Sequence, residues 1–394
     1  MLSSFLRLLT VSWDAIGLLL LVVLFTEFGI DPLRRFIRRL RSYARGRPVT
    51  DGLSTDDAPI TYHDNVAKQG LDWAPYVHWR QRPYLGPHTS IDARGLRVTI
   101  GANKNSSAAV RIFCFGGSTL FGLGVRNAST IPSIMQQRLD DLGLDVSVTN
   151  HAQLAYNSSQ DLLALQNLLK REDTPDVVVF YDGFNDVFTA EWTGRADVIR
   201  GEEKRRAEFM LLGTERRYDL VRAALAGALP RSFRRIRELT KNRWARDSSN
   251  SPRVRIDKAK IGELAHDVIS VYAANVRTAR ALANEYGFST VFVWEPMLAT
   301  KKVKTTFEQQ IAKDRELGPE LRAEIYSTIV AEYRRHPVFR GASDVVDLSA
   351  LFDDREETIY IDFAHLTEAA IADVVEAMLA PVAKAVMAVT KTGH

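Results

Sequence analysis

The stretch VRIFCFGGSTLFGLGV, residues 110–125, decides the fold of this chain. Five of its first six residues are apolar, a composition typical of a strand that is buried on both faces. Gly116 and Gly117 follow, and glycines permit a tight turn with close backbone approach. Ser118 then projects from the carboxyl end of the strand, which is where the sites of parallel sheets form.

Four other short segments have the same apolar, β-branched character: residues 146–149, 177–181, 290–294 and 345–348. Segments with helical periodicity separate the strands or follow them: residues 131–142, 159–171, 258–286, 319–334 and 366–390. Alternation of strands and helices is typical of a parallel sheet covered on both faces. We therefore predict an α/β fold, a three-layer α/β/α sandwich built on a doubly wound parallel sheet.

Composition excludes several classes of protein. The 394 residues are 46% hydrophobic and 25% charged, as in an ordinary globular protein. A single cysteine, Cys114, excludes an internal disulfide framework and a multi-cysteine metal site. The net charge of +4 is too small to indicate nucleic-acid binding, and no motif for it is present. We expect neither a metal nor another cofactor.

The N-terminal region predicts a membrane anchor. Apolar residues dominate residues 8–30, which as a helix would span about 34 Å, enough for a hydrocarbon core of about 30 Å. A cleaved signal peptide fits poorly, because arginines crowd the following segment and no small-x-small site is present. The alternative interpretation is a buried amphipathic helix of the core.

The rest of the chain divides by composition. Residues 31–75 read as a basic juxtamembrane segment followed by a linker, and residues 76–394 as the folded domain. Residues 190–257 interrupt its strand–helix alternation with many arginines, and we predict a helical insertion there. The insertion is either a solvated lid or a surface for a membrane or another anionic partner.

Two more motifs carry side chains suited to catalysis. YDGFND, residues 181–186, follows a predicted strand and places Asn185 at the sheet edge, where its amide can donate to an oxyanion. DFAH, residues 362–365, places a carboxylate and an imidazole three positions apart. Asp362 can therefore orient the ring of His365 while the far ring nitrogen faces a serine. Taken singly, each motif also fits an ordinary turn or helix cap.

Together the blocks resemble the SGNH (GDSL-like) hydrolase superfamily, in its membrane-anchored bacterial type. The matching blocks are Gly117-Ser118, Gly183-Phe184-Asn185-Asp186 and Asp362-x-x-His365. Residues 150–160 are similar to the family's N-x-G-x-x-G-Y-x-S-x-Q block, with alanines, Ala152 and Ala155, in place of both glycines. The resemblance runs from about residue 76 to the end of the sequence and implies a flavodoxin-like sandwich.

The resemblance also implies the chemistry. Ser118 would be the nucleophile, His365 the general base and Asp362 the residue that orients it. The backbone N–H groups of Ser118 and Ala152, with the Asn185 amide, would form the oxyanion hole. The expected activity is a serine esterase that hydrolyses carboxylic esters, O-acetyl or other acyl, through an acyl-serine intermediate. Its substrate would be an acylated glycan, a lipid or a small ester.

Two alternatives stay open at this point. An O-acyltransferase would use the same serine, histidine and aspartate to pass the acyl group to a glycan hydroxyl. A non-catalytic module would use the anchor and the basic insertion to recruit a partner at the membrane. The resemblance favours the bacterial inner membrane and a single pass. The arginines after residue 30 favour a cytoplasmic domain, whereas anchored relatives act on envelope glycans outside, so the side of the membrane and the oligomeric state stay open.

Overall fold

The computed structural model describes residues 70–102, 110–203, 205–206, 209, 256–313 and 318–392. The predicted anchor at residues 8–30 and most of the predicted insertion at residues 190–257 lie outside these described residues. Within the described part, no helix combines the length and the apolar character that crossing a membrane requires. The main sheet and its helices belong to one compact unit, residues 50–200 and 254–394.

Two small antiparallel pairs precede the main sheet. Strand β1 (Leu71–Ala74) pairs with β2 (His78–Gln81), and β3 (Tyr84–Leu85) pairs with β4 (Ser90–Ile91). The prediction of a linker up to residue 75 is therefore wrong over β1. Leu71 and Trp73 alternate with Asp72, but a run of four residues is too short for this pattern to indicate a strand.

Five parallel strands form the main sheet: β5 (Val110–Gly116), β6 (Val146–Asn150), β7 (Val177–Asp182), β8 (Ser289–Trp294) and β9 (Val345–Asp347). Their order across the sheet is β6-β5-β7-β8-β9, and all four neighbouring pairs are parallel. This is the flavodoxin-like doubly wound order, in which the strand order reverses at the first strand. The predicted parallel sheet is confirmed, with its strand ends displaced by at most one residue.

Eight α-helices are described: α1 (Ser118–Phe121), α2 (Ile131–Asp141), α3 (Ser158–Leu169), α4 (Phe184–Thr193), α5 (Ile261–Tyr286), α6 (Thr306–Lys313), α7 (Pro319–Arg335) and α8 (Glu368–Thr392). The five predicted helices correspond to α2, α3, α5, α7 and α8. Helices α1, α4 and α6 were not predicted. Two of them, α1 and α4, begin directly after the glycines of the candidate motifs, where the sequence also fits a plain turn.

The alternating side chains of β5 show why there are three layers. Ile112 and Cys114 belong to the apolar core that β5 shares with α2 and α8, on one face of the sheet. Phe113 and Phe115 belong to the core on the opposite face, with α3, α5 and α7. Successive strand residues point to opposite faces, and burial of each large apolar side chain contributes about 1.5–3 kcal/mol.

The ends of β5 and β7 bring the candidate motifs together. Gly116 lies opposite Tyr181 in the parallel register. A Cβ atom at Gly116 would lie only 2.5 Å from the carbonyl oxygen of Tyr181, so a side chain is excluded there. Ser118 follows the first strand and Asn185 the second. They therefore leave the same carboxyl edge side by side, at the point where the strand order reverses.

Candidate active site

Ser118 occupies the first position of α1, directly after the glycine pair. A Cβ atom at Gly117 would lie 2.2 Å from the Asn185 Nδ2 atom. The glycine is therefore required because the Asn185 amide packs against the turn that carries the serine. Ser118 itself remains half-buried, which leaves its hydroxyl accessible at the sheet edge.

The structure brings Ser118, His365 and Asp362 together. His365 Nε2 lies 2.7 Å from Ser118 Oγ, and His365 Nδ1 lies 2.7 Å from Asp362 Oδ2. A ring that donates its Nδ1 proton to the carboxylate is left with Nε2 as an acceptor for the serine hydroxyl. Residues 247 positions apart in the sequence thus share one hydrogen-bonded relay.

Asp362 is held as a carboxylate. Its Oδ1 atom accepts the backbone N–H groups of Ala364 and His365, each at 2.8 Å. Burial by itself would raise the pKa of Asp362, but the charge of His365 and the hydrogen bonds from its ring and from both backbone groups outweigh it, so the pKa is lowered. A carboxylate that keeps its charge can stabilise an imidazolium in the reaction.

Asn185 lies against the turn at Gly117 that carries Ser118. Its Nδ2 atom donates to the carbonyl oxygen of Tyr156 at 2.7 Å, which fixes the direction of the amide. The same carbonyl oxygen would lie 3.2 Å from a Cβ atom at Gly117. An amide nitrogen carries two hydrogens, so one remains for a substrate oxygen next to Ser118.

The predicted role of Ala152 does not fit the structure. Its backbone N–H donates to Asn150 Oδ1 at 3.1 Å, so it does not face the substrate, and this part of the oxyanion-hole prediction is wrong. Sequence reasoning missed that the side chain of Asn150 accepts a hydrogen bond from the backbone of its own loop. An asparagine commonly makes such a bond two residues on.

The loop reverses at Ala155 instead. Tyr156 N–H donates to the carbonyl oxygen of Gln153 at 3.3 Å, and Ala155 within that turn has a φ of 63°. This left-handed conformation favours glycine, which is the residue at this position of the family block. The Ala155 N–H has no acceptor among the described residues. The carbonyl oxygen of the following residue, Tyr156, would lie 3.2 Å from a Cβ atom at Gly117.

Two more positioning residues carried no motif signal. Arg97 is buried, and its guanidinium donates to the carbonyl oxygens of Phe121, Gly122 and Val125. These bonds tie down the loop that follows α1. Phe121, the nearest of these three acceptors in the sequence, lies 24 positions away, so neighbouring sequence could not reveal the role.

Glu295, directly after β8, joins the two catalytic turns. Its Oε1 atom accepts the backbone N–H of Phe184 at 2.8 Å, and its carboxyl group is hydrogen-bonded to the Thr119 hydroxyl. Phe184 precedes Asn185 and Thr119 follows Ser118. Burial raises the pKa of Glu295 to about 8, so the group is a neutral acid at pH 7. A neutral acid can donate one hydrogen bond while it accepts another.

A further acid pair lies beneath the site. The carboxyl groups of Asp161 in α3 and Asp182 in β7 lie close enough to affect each other's pKa, and both are buried. Burial raises the pKa of each group, and their mutual repulsion raises the pKa of Asp182 further. Such a pair needs a shared proton. A third buried acid, Asp186 in α4, accepts a hydrogen bond from the Ser158 hydroxyl at 2.6 Å.

The arrangement is therefore suited to acyl transfer through a serine. It has a nucleophile, a base, a residue that orients the base, and candidate oxyanion donors in one place. No group of three or more metal-ligating side chains occurs in the part of the chain that the structure describes.

No family model matches the sequence, and neither does any curated protein. Solved structures do match. The acetyl xylan esterase AlAXEase is 13% identical with a TM-score of 0.35, covering 69% of this chain and all, 100%, of that one. TesA is 14% identical with a TM-score of 0.34, covering 69% of this chain and 97% of that one. Axe2, an acetylxylan esterase from Geobacillus stearothermophilus, is 12% identical with a TM-score of 0.32, covering 70% and 94%. The function proposed below rests on the site alone.

Proposed function

We propose that the protein is a serine hydrolase of carboxylic esters. The observation that carries the proposal is the unbroken relay from Asp362 through His365 to Ser118, with 2.7 Å at each step. A serine hydroxyl is a weak nucleophile at neutral pH, and an adjacent oriented imidazole is what activates it.

The relay supports a two-step reaction. His365 Nε2 takes the proton of Ser118 as its Oγ atom attacks the ester carbonyl carbon, and Asp362 stabilises the imidazolium that forms. The imidazolium then gives the proton to the leaving alcohol, so the ester bond breaks and an acyl-serine remains. Water, activated by His365, releases the acyl group as an acid and restores the serine.

We assign three donors to the oxyanion: the Ser118 N–H, the Asn185 amide and the Ala155 N–H, which replaces the predicted Ala152. The fixed amide of Asn185 and the open N–H at the turn of Ala155 favour this set. Loss of one such donor costs about 3–4 kcal/mol of transition-state stabilisation. The charge on the tetrahedral intermediate is therefore matched by fixed dipoles.

Labelling with a fluorophosphonate probe tests the proposal. The wild-type protein should become labelled at Ser118, and both labelling and ester hydrolysis should be lost in Ser118→Ala. Ser327→Ala, at an exposed serine on α7, is the matched control and should label like the wild type. Unchanged labelling in Ser118→Ala would refute the assignment of the nucleophile.

The proposed substrates are esters of an acylated glycan or lipid, O-acetyl or longer. Product analysis separates hydrolysis from transfer, because hydrolysis releases free acid whereas transfer leaves the acyl group on an added glycan. Free acid as the main product in the presence of glycan acceptors is the expected result. Acylated glycan as the main product would replace the hydrolase with an acyltransferase that has the same site.

Membrane attachment through residues 8–30 is also proposed, and it rests on the sequence alone. The full chain should sediment with membranes and resist extraction at high pH, whereas a chain that starts at residue 48 should not. A full chain that alkaline washing releases would contradict the anchor.

A further inference from the structure

A cavity of about 270 Å³ lies beside the proposed catalytic relay. Its lining comes from α4, α6, α7 and the segments that follow β8 and precede α8. Most of the side chains that line the cavity are apolar, among them Phe184, Leu298, Ala312, Ala323, Tyr326 and Phe363. No step of the proposed mechanism uses this space.

Two walls of the cavity are continuous with the catalytic residues. Phe363 follows Asp362 directly, and its ring centroid is 6.4 Å from that of His365, in an edge-on arrangement. Phe184 precedes Asn185, and its ring centroid is 5.6 Å from that of Phe363. The cavity therefore adjoins the two segments that carry His365 and Asn185.

Four charged side chains line the cavity, and two of them, Lys313 and Glu320, belong to residues that are exposed to solvent. Arg322 binds Glu191 through two nitrogens at 3.0–3.3 Å, and Glu191 is fully buried. Lys304 donates its ammonium group to the carbonyl oxygen of Lys301. The arginine's charge is thus neutralised and this ammonium is already engaged, so the cavity favours an apolar occupant.

The size of the cavity sets the length of that occupant. A volume of about 270 Å³ holds about nine groups of the size of a water molecule, each taking about 30 Å³. An acetyl group alone would leave most of it empty. A chain of about four to eight carbons would fill it, and each buried methylene adds about fourfold to binding.

We infer that this cavity binds the aliphatic chain of the ester, so that the preferred substrates carry a chain of about four to eight carbons rather than acetyl with a small alcohol. This inference rests on the proposed function. The chain can belong to the acyl side or to the alcohol side, because both sides of an ester are attached at the reacting centre.

Two substrate series distinguish the two sides. In the first, p-nitrophenyl esters of acetate, butanoate, hexanoate and octanoate vary only the acyl chain. In the second, acetates of ethanol, butanol, hexanol and octanol vary only the alcohol. We expect kcat/KM to rise at least about tenfold from the shortest to the six-carbon member of one series. A flat or falling profile in both series would overturn the inference.

Variants that fill the cavity show whether it causes the preference. Ala323→Phe on α7 and Ala312→Phe on α6 should each lower the hexyl-to-shortest ratio of kcat/KM at least about fivefold, since burial of two methylenes is lost. Ala331→Phe, at an exposed position of α7, is the matched control and should keep the wild-type ratio. A preserved ratio in both filled variants would place the chain elsewhere.

The outcomes separate this inference from the proposed function. Failure of fluorophosphonate to label Ser118, with no ester hydrolysed, would remove both. Labelling of Ser118 with equal turnover of short and long esters would remove only the chain-binding role of the cavity. The ratio within one variant also corrects for any fraction of that variant that is misfolded.

Discussion

Asp362 and Glu295 stand at the same edge of the sheet, and their carboxyl groups are in opposite states. Asp362 accepts two backbone N–H groups and the imidazole of His365, and its pKa is lowered. Glu295 accepts one backbone N–H and meets one hydroxyl, and burial raises its pKa to about 8. The number of donors around each carboxyl, rather than depth alone, decides which one keeps a charge.

The same contrast recurs deeper in the fold. Glu308 in α6 is fully buried but forms an ion pair with Lys301 at 2.7 Å and accepts the N–H of Ile359 at 2.9 Å. Asp182 is buried against another acid, Asp161, and its pKa is raised. The charged carboxyl groups act through their charge, whereas the neutral ones act as hydrogen-bond donors. Replacing each carboxyl group with an amide, Asp by Asn or Glu by Gln, distinguishes the two roles, because an amide can donate a hydrogen bond but carries no charge.

Asp362→Asn should have the largest effect. The amide cannot stabilise the imidazolium and favours the wrong ring tautomer, so we expect kcat to fall about 10³–10⁴-fold. The melting temperature should change little, because the neutral side chain still accepts the two backbone N–H groups. Steady-state kinetics and thermal melts measure the two quantities, and a loss of kcat below tenfold would contradict the assigned role.

Glu308→Gln should leave Lys301 as a buried, unpaired charge. We expect the free energy of unfolding to fall by about 3–5 kcal/mol, measured by urea denaturation. Glu376→Gln, which removes an exposed ion pair with Arg138, is the control and should change it by at most about 1 kcal/mol. Equal effects of the two substitutions would show that burial of the pair does not matter.

Glu295 offers a matched pair of substitutions. Glutamine can still accept the N–H of Phe184 and donate to a hydroxyl, so Glu295→Gln should keep kcat within about tenfold of the wild type at pH 7. Glu295→Ala leaves the Phe184 N–H unpaired, and we expect its free energy of unfolding to lie about 1–3 kcal/mol below that of Glu295→Gln. Kinetics and denaturation of both variants at pH 7 test this, and equal damage by glutamine and alanine would mean that the native group is charged.

The pH dependence of stability should differ between the two carboxyl groups. The pKa of Glu295 is raised from 4.5 to about 8, so its folded form retains a proton that the unfolded chain loses. The contribution of Glu295 to the free energy of unfolding is fully present below about pH 4.5. It is lost as the pH rises to about 8, at up to about 1.4 kcal/mol per pH unit. The lowered pKa of Asp362 acts in the opposite direction, and its contribution is lost only below its ordinary value of 3.8.

Denaturation of the wild type and Glu295→Gln from pH 5 to pH 9 measures this difference. The variant should lose less stability over that range, because glutamine has no proton to lose. Part of the decline should persist through Asp161 and Asp182, whose pKa values are also raised. Parallel curves for the two proteins would show that Glu295 is already ionised at pH 5.

Asp182→Asn should have the smallest effect. The amide is as neutral as the protonated carboxyl group, so near pH 4, where the unfolded chain also holds much of this proton, we expect the free energy of unfolding to change by at most about 1 kcal/mol. Urea denaturation checks this value. A loss of several kcal/mol would indicate that Asp182 carries a charge in the folded protein.

The fold was largely predictable because its signals are local. Each strand of the main sheet carries its own apolar run, and the glycines beside Ser118 and Asn185 mark the turns that face each other. The relay followed from the resemblance of three short motifs. Prediction failed where a role depends on backbone angles, as at Ala152 and Ala155, because residue identity does not show which alanine takes a positive φ.

Burial by elements distant in the sequence could not be predicted either. The neutral state of Glu295 depends on the helices that enclose it, and the role of Arg97 depends on carbonyl groups from a distant loop. Helices α1 and α4 were missed because the same glycines that mark a turn also precede a helix. Local sequence patterns therefore specify the strands and most helices, whereas the protonation states of the buried groups depend on the completed fold.

The separation of 247 residues between the serine and the histidine of the relay has a consequence for biosynthesis. Ribosomes add about 5–20 residues per second, so about 12–50 s pass between translation of the two codons. Throughout that interval the nascent polypeptide has a hydroxyl but no base to activate it. Any reactivity of Ser118 that depends on His365 therefore arises only late in translation, after most of the sheet has been made.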